Sequence, residues 1–449
     1  MRIGLDFGTS NSSVAIFDGK QVRFLPIDRS GRDPSILRSF LYITREGERV
    51  IGQEAIDFYL EQNIGREIVL TRKSLGQITQ AFAEVGTVTI DVHAMVDEDM
   101  PGRLFQSLKS SMKYKDHKGT NVFGKIYQVE DLVAMILKEM KQRAERILKK
   151  KISSAVIGRP VKFSESPQED ELAQARLRRA CEKAGFQEVS FLFEPVAAAL
   201  YYESIIETPE HLLVFDFGGG TLDITIMNVG TKEGSKILAT DGVPIGGDNL
   251  DRAIMSGRLL KHFGREIKIG MKKLPMPSWI FSQISDWQKI ASIDRRAVMA
   301  VIREARGGGR GVKELDALEC LITKNYGFSL FQEIERAKCR LSSDLQTILS
   351  VNYEEILFEE EISRSQFEEA IKEEQRAIEK CIDRALNSAG LRPEEIDVVL
   401  RNGGSSLIPC FIEMLKAKFG SEKLRTQDLL TGVTAGLAIA AYGNFQYLL

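Results

Sequence analysis

Apolar and polar residues alternate along the start of the chain, as they do in β-strands whose side chains point in turn to opposite faces. Residues 2–17 read as a strand, a turn at "GTSNS" and a second strand, and "QVRFLPI" and "FLYITREGERVIG" continue the alternation. The pattern therefore predicts a group of strands at the N-terminus. From about Gly52 to Thr120 the pattern is mixed, which favours short helices and polar loops.

Farther along the chain, apolar residues recur at intervals of three and four, the spacing of an amphipathic helix. The clearest helical stretches are residues 130–151, 168–185 and 364–390. Strand-like stretches lie at 153–161 and 346–363. Because groups of strands alternate with groups of helices, the order predicts an α/β protein built from a duplicated unit.

A short motif occurs twice in the chain and is its most informative feature. "GLDFGTSNSSVAIFD" covers residues 4–18, and "VFDFGGGTLDITIMN" covers residues 214–228. Each places an aspartate at the end of an apolar strand and a glycine turn directly after it. Such a turn presents several backbone N–H groups in a row, an arrangement that suits phosphate oxygens. Two of these hairpins facing each other would hold a polyphosphate from both sides, and two purely structural hairpins are the alternative.

Composition excludes several classes of protein. A formal net charge of −2 gives no basic surface for nucleic acid. The five cysteines are scattered and never form a CxxC pair, which argues against a disulfide framework or a zinc site. Neither a signal peptide nor an 18-residue apolar run is found. We therefore expect a cytoplasmic protein that binds neither nucleic acid nor membrane.

The chain lacks the other common phosphate-binding signatures. It has no GxxxxGK[ST] loop, and its DFG triplets lack the upstream HRD loop of a protein kinase. With only four histidines, a Ser-His-Asp triad or a histidine metal site is not expected. A third glycine loop, "LRNGGSSLIP", covers residues 400–409. Gly403 and Gly404 would let the backbone approach a flat ring or a phosphate, and a plain turn is the alternative.

Taken together, "GLDFGTSNS", "FEPVAAAL", "VFDFGGGTLDIT", "PIGGDNLD", "IERAKCRLSS" and "NGGSSLIP" resemble the nucleotide-binding domain of the heat-shock protein 70 family, within the actin and sugar-kinase ATPase superfamily. The resemblance covers most of the chain. It implies a duplicated actin-like (ribonuclease H-like) α/β fold, with two lobes of two subdomains each around a nucleotide cleft. The implied division is lobe I at 1–208 and 431–449, with an outer subdomain at about 46–125, and lobe II at 209–430, with an enlarged outer subdomain at about 252–354.

The resemblance also implies a site for ATP or ADP with Mg²⁺. It assigns catalysis to Lys109 beside the γ-phosphate, Glu194 near the attacking water, and Asp216 as the base that orients this water. Other lysines close to Lys109 in sequence stay open as alternatives. Asp6 and Asp216 would hold the metal, mostly through water. The implied nucleotide-binding residues are Gly8, Thr9, Ser10, Asn11, Gly218, Gly219, Gly220, Thr221, Gly246, Gly247, Asp248, Glu335, Lys338, Ser342, Gly403, Gly404 and Ser405.

The chain departs from the family pattern at the base-binding end. Cys339 and Leu407 stand where the family commonly flanks adenine with arginines, and Leu430 stands where an aspartate is usual. Losing cation–π contacts of about 0.5–2 kcal/mol each would weaken or alter base recognition, and Arg340 is a candidate substitute. Arg159 replaces a small apolar residue and could contact phosphate or pair with a carboxylate.

The end of the chain, "YGNFQYLL", leaves no room for the peptide-binding domain of the family's chaperones. The expected function is therefore a chaperone-like ATPase switch with low turnover. Its lobes would close on the nucleotide, and unfolded proteins or co-chaperones would act in trans. A small-molecule kinase of the same fold and a non-catalytic nucleotide-gated scaffold are the alternatives.

Overall fold

Two sheets organise the part of the chain that the structure describes. The computed structural model describes all residues except 32, 67–69, 83–85, 98, 116–118, 165, 205, 207, 232–234, 271, 291–292, 308–311, 427–431 and 444–449, and it also leaves aside the side chains of residues 70, 72–96, 288 and 426. Leu430, most of "RGGGRG" and the last residues of the chain therefore lie outside the described residues. What the sequence predicts for them stays a prediction.

The first sheet contains the strands predicted at the N-terminus. Arg2–Phe7 pairs antiparallel with Asn11–Phe17 and parallel with Ser154–Arg159. In spatial order the strands are Glu188–Phe193, Ser154–Arg159, Arg2–Phe7, Asn11–Phe17 and Val22–Phe24, and Ile36–Arg38 also pairs with Asn11–Phe17. We call this sheet and the elements packed on it the first lobe.

The second sheet repeats this arrangement. Glu210–Phe217 pairs antiparallel with Leu222–Val229 and parallel with Val398–Asn402. In spatial order the strands are Lys236–Val243, Leu222–Val229, Glu210–Phe217, Val398–Asn402 and Leu424–Thr426. We call this sheet and its neighbours the second lobe. Each sheet joins an antiparallel three-strand meander to two parallel strands, so the duplicated unit is visible in the topology.

Helices pack around both sheets. In the first lobe they are Leu108–Ser111, Val129–Leu148, Pro167–Lys183 and Glu194–Glu203. In the second lobe they are Gly247–Ile254, Arg364–Ala370, Lys372–Ala389 and Pro409–Phe419. The first of these continues through a π turn at Met255–Leu259 and a 3₁₀ turn at Leu260–Phe263. Short 3₁₀ turns lie at Pro393–Glu395, Gly404–Leu407 and Ser421–Lys423. The predicted helix over 364–390 is wrong in one respect, because the chain breaks it at Ile371.

An outer region extends each lobe. In the first lobe it contains a small sheet of Arg49–Ile51, Leu41–Thr44 and Gly102–Phe105, the helix Gln53–Asn63, the long hairpin Leu70–Phe82 and Gly86–Asp97, and the short hairpin Thr120–Val122 and Lys125–Tyr127. The expectation of short helices and loops from about Gly52 to Thr120 is therefore wrong for much of this region. In the second lobe it contains Lys268–Ile269, Leu274–Pro275, Ser278–Ile284, Trp287–Ile290, Arg295–Arg306, Val312–Thr323, Gly327–Ser343, Gln346–Tyr353 and Ile356–Ser363.

The helix Gly432–Tyr442 returns from the end of the second lobe to pack on the first sheet. It contacts Arg2–Phe7 and the helix Glu194–Glu203. The approach is so close that a Cβ added at Gly4 or at Gly436 would overlap the neighbouring backbone. Small residues at these positions therefore let the helix pack closely on the first lobe. No helix of the described residues is long and apolar enough to cross a membrane.

Candidate active site

The two glycine turns predicted from the repeated motif lie on the same cavity between the lobes, which has a volume of about 190 Å³. In the strand registers Asp6 faces Ser13 and Asp216 faces Asp223, so both aspartates occupy equivalent positions just before their turns. The turns also approach each other, since a Cβ added at Gly219 would lie 2.7 Å from the Ser10 Oγ atom. Backbone N–H groups from both lobes can therefore serve one phosphate chain.

A lysine–carboxylate pair with a buried lysine lies on this cavity. Lys109 belongs to the helix Leu108–Ser111, and its Nζ atom donates to Glu194, the first residue of the helix after strand Glu188–Phe193. Lys109 is only 6% exposed. Burial alone would lower the pKa of Lys109, but the charges of Glu194 and Asp6 outweigh it and raise the pKa. The lysine therefore stays cationic at the centre of the cavity.

Four carboxylates line the cavity together: Asp6, Glu194, Asp216 and Asp223. Burial, followed by repulsion from Glu194, raises the pKa of Asp6 to about 7. Burial likewise raises the pKa of Asp223 to about 7 and the pKa of Asp216 well above its ordinary value. Such crowding of like charges favours a bound cation that would lower the repulsion.

Asn402 is a site residue that the sequence interpretation missed. It ends the strand Val398–Asn402, lies opposite Asp216 in the sheet, and its Nδ2 atom donates to the Asp216 Oδ1 atom at 3.0 Å. The amide thus fixes one oxygen of the central carboxylate. Its position directly before Gly403 in the glycine loop is the signal that could have identified it.

The glycine loop at 400–409 packs against the second hairpin. Gly403 has a φ of 77°, and a Cβ there would overlap the Phe217 carbonyl oxygen. Ser405 Oγ donates to the Gly218 carbonyl oxygen at 3.1 Å. The loop therefore needs glycine for both its conformation and its close approach.

A second cavity of about 320 Å³ adjoins the first and is lined by residues of both lobes. Lys338 lines this second cavity. Its Nζ atom donates to the Gly247 carbonyl oxygen at 3.1 Å and pairs with Asp251 at 2.8 Å. Burial raises the pKa of Asp248 to about 6, although the Lys338 charge opposes this. The two cavities share Thr9, Ser10, Asn11, Gly218, Gly219 and Gly404, so together they form one continuous cleft.

The structure brings the predicted site residues together around this cleft. Those on the first cavity include Asp6, Gly8, Thr9, Ser10, Asn11, Lys109, Glu194, Asp216, Gly218, Gly219, Gly220, Thr221, Gly403 and Gly404. Those on the second include Gly247, Asp248, Glu335, Lys338, Ser342 and Ser405. Gly246 lies directly behind Gly219, because a Cβ on Gly246 would overlap the Gly219 carbonyl oxygen. Their roles stay predictions.

The positions that depart from the family pattern have different environments. Cys339 and Leu407 line the second cavity, where both are exposed. Arg340, the candidate substitute, donates to the Thr347 hydroxyl at 2.6 Å and to the Ile348 carbonyl oxygen at 3.0 Å. It is therefore held by the neighbouring strand.

Arg159 is buried and pairs with Asp170 at 2.9 Å. Its guanidinium also lies 5.1 Å from the Phe163 ring centroid and 5.3 Å from that of Phe193. Of the two roles considered for Arg159, the structure supports pairing with a carboxylate.

The chain matches a known protein family over most of its length. The family model described as "Hsp70 protein" matches residues 2–279 and 322–442. The chain belongs to the Hsp70 family. The unmatched stretch between these segments falls in the outer region of the second lobe, where the sequence predicts an enlarged subdomain.

This Hsp70-family chain is similar to curated relatives along nearly its whole length. It is 27% identical to "Chaperone protein DnaK" of Thermus thermophilus, covering 98% of this chain and 60% of that protein. It is 26% identical to "Chaperone protein dnaK" of Cyanidioschyzon merolae, covering 98% of this chain and 61% of that protein. The chain thus spans about 60% of the length of these relatives.

Family membership confirms the predicted actin-like ATPase fold of this Hsp70-family chain. Members of the family are ATPases that bind ATP and ADP with Mg²⁺. No group of three or more histidine, cysteine or acidic residues in the described part of the chain is arranged to hold a metal ion by itself. A magnesium ion here would therefore need water and phosphate oxygens among its ligands. The predicted boundaries of the lobes stay predictions.

Proposed function

We propose that this chain is an Mg·ATP-dependent switch of the Hsp70 type that hydrolyses ATP slowly as its lobes close. The observation that carries the proposal is the pair of glycine turns, one from each lobe, on a cavity with Lys109, Glu194 and Asp216. A ligand that touches both turns would hold the lobes together. Phosphate binding would then favour the closed arrangement of the lobes.

The phosphate end of the cleft suits Mg²⁺ and a polyphosphate. The raised pKa values of Asp6 and Asp216 indicate carboxylates that a cation would stabilise in their ionised form. Both aspartates would hold the ion mostly through water. When bound, Mg²⁺ would neutralise charge on the β- and γ-phosphate oxygens. The glycine turns would supply N–H donors without side chains that block the phosphates.

The catalytic roles follow from position and charge. Lys109, kept cationic by Glu194, would stabilise negative charge on the γ-phosphate. Glu194 would orient the attacking water, and Asp216, fixed by Asn402, would accept its proton. The water oxygen bonds to the γ-phosphorus, the bond from phosphorus to the β,γ-bridging oxygen breaks, and ADP, inorganic phosphate and a proton are the products.

The second cavity would hold the nucleoside. Glu335, Lys338 and Ser342 lie on successive turns of one helix face and offer polar atoms to the ribose and base. Cys339 and Leu407 offer no charge to the base. Weaker discrimination among bases than in a site flanked by two arginines is therefore part of the proposal.

A chaperone-like role extends the proposal to partners. The relatives are named as chaperone proteins, and this chain aligns with about 60% of their length. Unfolded proteins or co-chaperones, acting on the nucleotide-controlled lobes, are the proposed partners. A cytoplasmic location also stays a prediction.

Phosphate release from Mg·ATP by the purified chain tests the proposal. We expect slow hydrolysis that requires Mg²⁺, is lost in Lys109→Ala, and changes when an unfolded protein is added. Lys20→Ala is the matched control, because Lys20 is an exposed lysine of the first lobe. Failure to bind ATP at millimolar concentration would refute the proposal.

The same assay separates the switch from a small-molecule kinase. ATP consumption that appears only with an added metabolite, together with a phosphorylated product, would identify a kinase. Nucleotide binding without any hydrolysis would instead identify a nucleotide-gated scaffold.

A further inference from the structure

Two lysines that the proposed mechanism does not use lie on the phosphate cavity. Lys113 follows the helix that carries Lys109, and Lys162 follows the strand Ser154–Arg159. Both line the first cavity. Lys113 is half-buried and Lys162 is exposed, so the pair extends from the interior toward the mouth.

Their position relative to the nucleotide follows from the two cavities. The residues proposed to hold the nucleoside line the second cavity, while Lys113 and Lys162 line only the first. The shared turn residues lie between these two groups. A nucleotide that enters through the second cavity would therefore point its terminal phosphate toward the two lysines.

The backbone that carries Lys162 is held in place by Arg159. The Arg159 guanidinium donates to the Pro160 carbonyl oxygen at 2.9 Å and to the Val161 carbonyl oxygen at 3.2 Å. Its partner Asp170 accepts from the Phe163 backbone N–H at 2.6 Å. Both sides of Lys162 are thus fixed, which gives the unexpected arginine in this sequence a structural reason.

Charge balance explains why cations are needed at this end. The cavity is lined by four carboxylates, and Lys109 is already paired with Glu194. A phosphate that separates from Mg·ADP carries its charge past these carboxylates and is repelled by them. Lys162 is close enough to Asp223 to favour its ionised form and so lower its pKa, although burial is the larger effect.

We propose that Lys113 and Lys162 form a subsite for free inorganic phosphate, which holds the product after hydrolysis and slows its departure. This inference rests on the proposed function, because it takes the nucleotide to lie along the two cavities. It adds two binding residues on the first lobe, with Arg159 as the residue that positions one of them. Release of phosphate then depends on the first lobe, whereas release of ADP depends on both.

Calorimetric titration of sodium phosphate into the full chain, saturated with Mg·ADP, tests the subsite. We expect Lys113→Ala and Lys162→Ala each to weaken phosphate binding about 3-fold and the double variant about 10-fold, as for partly exposed ion pairs. Lys162→Arg should retain the affinity. Lys20→Ala, which removes an exposed lysine outside the cavity, should leave it unchanged.

The outcomes distinguish this inference from the proposed function. The affinity for Mg·ADP is measured first, and its absence would refute the proposed function. A chain that binds Mg·ADP but whose double variant binds phosphate as the wild type does would overturn only the subsite. The subsite would also be overturned if the two lysines governed the binding of a phosphorylated metabolite but left the affinity for free phosphate unchanged.

Discussion

At the scale of single residues, the two copies of the motif place their aspartates in different surroundings. Both lie near the Lys109–Glu194 pair, and Asp216 is in addition hydrogen-bonded to Asn402. Both are partly exposed to the cleft, but the Asn402 amide fixes one oxygen of Asp216 and leaves the other for a proton. This difference supports separate roles for Asp6 and Asp216, although both occur in the same sequence motif.

Asp216→Asn should lower ATP hydrolysis by about 100-fold or more, because an amide cannot accept the proton from water. Mg·ATP binding should change much less, since the glycine turns, Lys109 and the other metal-holding carboxylate, Asp6, remain. Single-turnover hydrolysis and equilibrium ATP binding measure the two effects separately. The control is Asp241→Asn, which removes a carboxylate paired with Arg384 outside the cavity. Normal hydrolysis by Asp216→Asn would contradict the assignment of the base.

Asp223 provides a prediction about pH. Burial raises its folded-state pKa from 3.8 to about 7, so between these values the folded chain holds a proton that the unfolded chain has lost. Raising the pH through this range should therefore destabilise the fold by about 1.4 kcal/mol per pH unit for this group. Asp223→Asn should remove this contribution, so its free energy of unfolding should rise relative to wild type from pH 4 to pH 7.

Urea denaturation without Mg²⁺ or nucleotide, at pH steps across this range, measures the difference. Asp57→Asn removes an exposed carboxylate of the first lobe and should show no comparable pH-dependent difference. A constant difference between Asp223→Asn and wild type at every pH would contradict the prediction.

At the scale of elements, strongly local patterns were predicted well. Both glycine hairpins have the strands and turns that the repeated motif predicts. The long hairpin Leu70–Phe82 and Gly86–Asp97 was missed, although its β-branched run "TVTIDV" is a strand signal. The break at Ile371 has no such signal, because apolar residues keep helical spacing on both sides of it.

The residues of the candidate site likewise differ in how well the sequence predicts them. Residues in glycine-rich turns could be predicted because backbone chemistry specifies them locally. Lys113 and Lys162 could not, since the role of an ordinary lysine depends on which distant strands and helices the fold brings together. The role of Arg159 could not be decided from the sequence for the same reason, because its partner Asp170 lies on another element.

The close approach of the helix Gly432–Tyr442 predicts an effect at the element scale. In Gly436→Ala the new methyl group would overlap the Ala197 carbonyl oxygen, which is backbone and cannot rotate away. We expect a loss of about 2–3 kcal/mol of unfolding free energy, typical of overpacking. Gly257→Ala is the control, because its added Cβ would meet the Ala370 Cβ at an ordinary 3.7 Å. Equal stability of both variants in urea would contradict this packing.

At the scale of the whole molecule, the lobes meet again at the outer end of the cleft. Gly65 donates its backbone N–H to the Lys324 carbonyl oxygen at 3.2 Å. Arg38 of the first lobe lies 3.9 Å from Glu335 of the second. The nucleotide cleft is therefore bounded by contacts at both ends, and its opening must break the outer ones while the packing around Gly432–Tyr442 holds.

Phe328 is the apolar part of this outer contact. Its ring lies 6.0 Å from that of Phe40 and 5.5 Å from that of Tyr59, both on the first lobe and both edge-to-face. Each such pair contributes about 0.5–1.5 kcal/mol. Phe328→Ala should therefore ease opening and speed ADP dissociation about 10-fold.

Stopped-flow displacement of a fluorescent ADP measures this dissociation rate directly. Phe358→Ala is the matched control, because it removes a ring that stacks on His262 within the second lobe, away from the cleft. If both variants release ADP at the wild-type rate, the outer contact does not control opening. A faster rate in Phe328→Ala alone, with unchanged cooperativity in urea, excludes a general loss of folding as the cause, because such a loss would affect both variants.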